Sequence, residues 1–287
     1  MKAVYRNELS TYFTTFTGYV FCAFILLFAG IYTMAMCLKQ GYVEFEYVLG
    51  NMAFVFFIIV PIITMRTLAE ERKQKTDQLL YALPISTTNV ILGKYFALLT
   101  ILLIPVVIIC FYPLVLSLYG SIYLPASYGA IIGFFFMGAA FLSIGLFISS
   151  ITESQMLAAG VCFAVLLVNY FIADLADLVN KSASVSFFCC LFIAALFILV
   201  IYLMTKNVYI SGVIGVLLLA LVSGLYFAKS EIYEGLIPSV MSKLSIFEHY
   251  YTFMDETFNL TDIVFFLSVS AIFVFLTVQS MEKRRWS

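Results

Sequence analysis

Residues 95–118 read YFALLTILLIPVVIICFYPLVLSL, a stretch of 24 positions without an acid or a base. A helix needs about 20 consecutive apolar residues to cross the hydrocarbon layer of a bilayer. Only helices and closed barrels satisfy their own backbone polar groups there, and this run has the length of a helix. Comparable runs occur at 17–38, 47–65, 128–150, 155–172, 186–204, 208–227 and 261–281. Composition agrees: of 287 residues, 64% are hydrophobic and 11% charged, against roughly 45–50% and 25% in a soluble domain. The expected fold is an all-α polytopic membrane protein, a single membrane-embedded domain over 1–287. Residues 186–227 are broken only by Lys206 and Asn207 and read either as two spans or as a re-entrant hairpin, so the bundle has six to eight transmembrane helices.

The polar lead-in runs to about Tyr12 with no small-residue cleavage site after it, which reads as a retained anchor rather than a signal peptide. Basic residues in short loops stay on the cytoplasmic side. With the N-terminus inside, eleven of the fifteen bases fall inside, including Lys2, Arg6, Arg66, Arg72, Lys73, Lys75, Lys94, Lys206 and Lys283 to Arg285. Lys39, Lys181, Lys229 and Lys243 fall outside, together with acids such as Glu44, Glu46, Asp174, Asp177, Glu248 and Asp262. Both termini are therefore expected in the cytoplasm of a cell (inner) membrane protein, and Lys283, Arg284, Arg285 and Trp286 form a basic, aromatic anchor at the inner interface.

A net charge of −1 excludes a nucleic-acid footprint. The six cysteines lie in apolar runs without metal-ligand spacing and behave as small hydrophobes. No Gly-x-x-x-x-Gly-Lys-Ser/Thr loop and no His-Glu-x-x-His is present, so the chain offers neither a phosphate cradle nor a zinc-hydrolase centre. His249 is the one histidine and reads as a structural or solvated residue. Gly129 and Gly133 form a Gly-x-x-x-Gly, a weak signal for close helix packing. No catalytic, cofactor or metal site is assigned.

Three polar segments carry the functional reading. Tyr5, Leu9, Tyr12, Phe13 and Phe16 recur at helical spacing while Lys2, Arg6 and Ser10 fall elsewhere on the wheel, the pattern of an interfacial amphipathic helix over 1–16 in contact with membrane lipids. Segment 66–94 concentrates charge around Glu70, Glu71, Arg72, Lys73, Lys75 and Asp77, then turns apolar at Leu79, Leu80 and Leu83 before Pro84. A short helix that is charged at one end and leucine-rich at the other suits either a groove on another protein or the bilayer surface. Residues 149–155, with Thr152, Glu153 and Gln155, form a sharp polar turn between two spans. The longest stretch outside is 229–260.

The run Ala69 to Leu80, with Leu83-Pro84-Ile85-Ser86 and Leu92-Gly93-Lys94 after it, resembles the first cytoplasmic loop of type 2 ABC transporter permeases. Lys75 stands where that family has a glycine before Thr76, and Asp77 where it has glutamate. Gly145 to Ser150 with Gln155, the run Phe247-Glu248-His249-Tyr250, Asp262 and the tryptophan-bearing tail are similar to the gliding-motility-type and copper-enzyme-maturation-type permeases. The resemblance weakens between 172 and 238, where those proteins are shorter and have six spans in all.

The resemblance implies a coupling helix at Glu70, Glu71, Arg72, Thr76, Asp77, Leu79, Leu80 and Leu83 docked into a separate cytosolic ATPase subunit, with a second contact at Thr152, Glu153 and Gln155. ATP and Mg would be bound by that ATPase, not by this chain. A second permease chain, the same or related, would complete a path for an exported lipid-linked, amphipathic or peptidic substrate. The alternative is a non-transporting permease that passes ATPase motion to an extracytoplasmic partner.

Overall fold

The computed structural model describes residues 1–39, 44–75, 86–120, 122–205, 215, 220, 223, 224, 226, 233–255 and 258–285. All regular structure among them is helical. An N-terminal helix α1 (Lys2–Thr14) precedes α2 (Thr17–Tyr32), which runs on as a π turn over Thr33–Lys39. Next come α3 (Phe45–Met52), a 3-10 turn at Ala53–Val55, α4 (Phe56–Thr64) and the five-residue α5 (Ala69–Lys73). They are followed by α6 (Thr87–Ile109), α7 (Phe111–Leu116), α8 (Leu124–Ile151), α9 (Gln155–Leu178) and α10 (Ala183–Thr205). The chain closes with α11 (Leu236–Leu244), α12 (Ile246–Tyr251) and α13 (Leu260–Arg285).

Six helical stretches among the described residues are long and apolar enough to cross a membrane: Thr17–Lys39, Phe45–Lys73, Thr87–Leu116, Leu124–Ile151, Gln155–Leu178 and Leu260–Arg284. They coincide with six of the expected spans. Of the other two, 186–204 falls within α10, while 208–227 lies largely outside the described residues. The third span starts earlier than hydropathy suggested, because Ser86 accepts the amide of Asn89 at 3.4 Å and caps α6 at Thr87. It breaks at Cys110 because Pro113 has no N–H to give the carbonyl of Ile109.

The chain forms two compact units, Met1–Val168 with Ile246–Ser287, and Asn169–Ser245. In the first, α8 is central, with α13, α6, α4 and α3 packed around it. Small side chains along α8 make this possible, since helix association in lipid depends on close packing rather than on hydrophobic exclusion. Phe56 sits in this core with ring centroids 4.7 Å from Phe134 and 5.9 Å from Phe141. Gly133 receives the ring of Phe253, so the Gly-x-x-x-Gly serves packing within the chain.

Two acids assigned by sequence to the hydrated outer side are buried instead. Glu46, 2% exposed, accepts from the Ser127 hydroxyl at 3.2 Å. Asp262, 3% exposed, pairs with His249 Nδ1 at 2.5 Å and accepts from Thr252 Oγ1 at 2.7 Å. His249 also stacks on Phe265 with centroids 3.9 Å apart, which gives the single histidine a structural place. Burial is tolerated because each carboxylate is hydrogen-bonded.

In the second unit, Asn169 Nδ2 donates to the Leu244 carbonyl at 3.1 Å, and the Gly235 amide donates to the Lys181 carbonyl at 3.0 Å. Gly235 has φ +67°, a conformation in which a Cβ would be strained. Phe187 stacks on Tyr226 with centroids 4.3 Å apart.

Candidate functional site

The turn after α4 exposes backbone amides that α5 is too short to satisfy internally. Leu68, the residue preceding α5, has no capping group of its own. Ser149 supplies one from α8: its Oγ accepts the amides of Leu68 at 3.1 Å and Ala69 at 3.0 Å. This cap crosses from one helix to another across 80 residues of sequence. Replacing Ser149 by alanine leaves those two buried amides unmet, and a loss of about 1–2 kcal/mol is expected. Hydrogen exchange at residues 68 and 69 in the purified chain should speed up; unchanged protection there would count against the cap.

Lys94, two turns into α6, is 1% exposed. Its ammonium reaches Glu8 Oε1 at 2.6 Å, Glu71 Oε1 at 2.7 Å and the Thr67 carbonyl at 3.1 Å. An ammonium has three donors, and all three are used. The charge is therefore held by α1, by α5 and by the turn between α4 and α5 at once. Gly93 permits this: a Cβ there would lie 3.1 Å from Val4 Cβ and 3.3 Å from the Met1 carbonyl oxygen. Two further hydroxyl pairs fasten α1, Tyr5 to Thr100 at 3.0 Å and Tyr12 to Thr67 at 3.2 Å. Burial pushes the Tyr12 phenol well above its ordinary range, opposed by the Thr67 hydrogen bond, so the hydroxyl stays neutral.

On its other side α5 holds Arg72, 6% exposed, whose guanidinium donates to the Thr152 carbonyl at 3.4 Å and to Met281 Sδ at 3.6 Å. The end of α13 joins the same connection: Arg284 pairs with Glu153 at 3.4 Å and donates to the Ile151 carbonyl at 3.3 Å. Arg66 and Glu70 pair at 3.0 Å along the segment itself.

Of the residues singled out by sequence, Glu70, Glu71 and Arg72 lie on α5, while Thr76, Asp77, Leu79, Leu80 and Leu83 lie outside the described residues. Thr152 ends α8 in an extended conformation, Glu153 follows, and Gln155 opens α9. Tyr5, Leu9, Tyr12 and Phe13 lie on α1, with Tyr12 buried. Phe16 does not belong to that helix. The helix stops at Thr14, helped by Thr14 and Thr15 hydroxyls that bond back to main-chain carbonyls, and Phe16 turns the corner with φ 62° and 72% exposure. Sequence reasoning passed over Glu8, Thr67, Lys94 and Ser149. The available signal was Lys94, a base two turns inside an apolar helix, a position that demands a counter-charge.

The site thus joins the N-terminal helix, the connection between the second and third spans, the connection after the fourth and the tail of the last. Residues 31–281 match the family described as ABC-2 family transporter protein. No curated protein and no solved structure matches the chain. With a family match over most of its length and six apolar helices of spanning length, the chain belongs to the ABC-2 transporter family and is a multi-pass membrane permease.

Proposed function

We propose that this permease is the transmembrane half of an ATP-driven exporter of the cell (inner) membrane and that α5 with the segment after it, through Leu83, docks into a cytosolic ATPase subunit. The observation that carries the reading is the buried Lys94, gripped by Glu8 of α1 and Glu71 of α5. A push on α5 reaches α1 and the third span through charge contacts that resist stretching, which is the property a force-transmitting joint requires. ATP binding between two ATPase subunits supplies the differential free energy that drives a change of state. A second permease chain completes the path, and the cargo is lipid-linked, amphipathic or peptidic. Both termini and α5 face the cytoplasm, in keeping with eleven bases against four.

The test is affinity purification of the tagged protein from mild detergent, with mass spectrometry of the eluate. A stoichiometric P-loop ATPase is expected with the wild type. Changing Leu79 and Leu80 together to aspartate should release it while the permease stays membrane-inserted. Reproducible absence of an ATPase from the wild-type eluate would sink the assignment, as would normal co-purification with the double variant.

A further inference from the structure

Two cavities of opposite character lie where α1 turns into α2. The first, about 270 Å³, lies between α1 and the α4–α5 turn and is lined by five charged groups, Glu8, Arg66, Glu70, Glu71 and Lys94. Three acids against two bases leave one negative charge in surplus. Lys94 is fully engaged by Glu8 and Glu71 and is 1% exposed, whereas the Arg66–Glu70 pair is partly open, at 41% and 30%. The second, about 150 Å³, is an apolar cleft between α2 and α4, lined by Val20, Phe24, Ile58 and Ile62 among others. Thr15 and Thr17 line both, so the two cavities lie against the same turn.

The depth of this junction in a bilayer follows from its surroundings. Both walls of the cleft belong to stretches of spanning length, Thr17–Lys39 and Phe45–Lys73. At the junction Phe16 and Tyr19 are exposed, with Tyr19 packed 5.2 Å from Phe13 and 5.9 Å from Phe16. Exposed aromatics at a span end mark the headgroup level.

We propose that the pair of cavities is a binding site for one resident phospholipid with a zwitterionic, primary-amine headgroup. The cleft takes the start of an acyl chain. The phosphate meets the Arg66 guanidinium, a planar donor suited to it, and the ammonium meets Glu70, with the surplus negative charge favouring a cation there. An anionic headgroup without an amine is repelled by that surplus. A trimethylated amine keeps the charge but has no N–H to donate to a carboxylate. The lipid would lie against the joint formed by Glu8, Glu71 and Lys94, within one chain rather than between two. This inference rests on reading α2 and α4 as spans and not on any ATPase partner.

The full-length permease, purified in detergent, would be incubated with equal amounts of phosphatidylethanolamine, phosphatidylcholine and phosphatidylglycerol of identical acyl chains and examined by native mass spectrometry. One phosphatidylethanolamine per chain is expected, retained about five-fold more than phosphatidylglycerol, with phosphatidylcholine between them. Glu70→Gln should level the headgroup preference, and Ile62→Trp, which fills the cleft, should lower retention of all three. Equal retention of phosphatidylethanolamine and phosphatidylglycerol by the wild type would overturn the proposal. So would a preference that survives Glu70→Gln together with retention that survives Ile62→Trp. Because the measurement uses the permease alone, its failure leaves the ATPase reading untouched, and the converse holds.

Discussion

Replacing Lys94 with methionine is expected to cost about 3–5 kcal/mol, the range for removing one partner from a buried ionic group. Methionine matches the volume of the lysine stem, so packing changes little. The damage comes from what remains: Glu8 and Glu71, whose oxygens approach the same nitrogen to 2.6 and 2.7 Å, face each other without a cation. Either the carboxyls take up protons or α1 separates from α5. In the purified protein the apparent melting temperature should fall on the order of 10 °C, and any stimulation of a bound ATPase should be lost. Adding Glu8→Gln and Glu71→Gln to the methionine variant should recover much of the melting temperature, because a neutral set no longer carries unpaired charge. It should not restore coupling if the charge contacts transmit force. A Lys94→Met protein that melts as the wild type does would show that the triad carries little of the structure.

Gly145→Ala should be the second most damaging of the substitutions considered. A Cβ at 145 would lie 2.4 Å from Thr64 Oγ1 and 2.8 Å from Thr64 Cβ and Cγ2. Those atoms cannot swing away cheaply: threonine is branched at Cβ, and the hydroxyl is already bonded to the Val60 carbonyl at 2.7 Å. The helix α4 must move, at an expected cost of about 1–3 kcal/mol. The effect does not stop there, since Ser149 lies one turn along α8 and holds the amides at the start of α5. Thr64→Ala should partly rescue Gly145→Ala, with a coupling of about 1 kcal/mol in a double-mutant cycle. Unchanged melting of Gly145→Ala alone would mean that α4 and α8 do not approach as described.

The spans were legible because an apolar run of 20 or more residues has few other uses, and the charged segment after the second span stood out against so little charge elsewhere. Partnerships were not. Lys94 finds one acid 86 residues away and another 23 residues away, and no periodicity connects such positions. Charge counting assigned Lys94 to a hydrated cytoplasmic loop and Glu46 and Asp262 to the opposite side. It has no means of recognising that a hydroxyl or an imidazole will bury them. Phe16 was assigned to the first helix because the apolar spacing continues through it, yet threonine hydroxyls at 14 and 15 end the helix first. The cap from Ser149 was invisible for a similar reason: a serine near the end of an apolar helix reads as a polar turn, and only the fold brings it to the amides of Leu68 and Ala69.

The order in which the Lys94 triad is synthesised bears on biogenesis. Glu8 and Glu71 leave the ribosome before the base that pairs with both. Until the third hydrophobic segment enters the membrane, the first two cannot settle their carboxylates, and α1 has no Gly93 surface to rest on. A chain truncated after two segments is expected to be cleaved by protease faster than one that includes the third. The lysine that joins the finished permease is therefore available to both acids only once the third segment has been made.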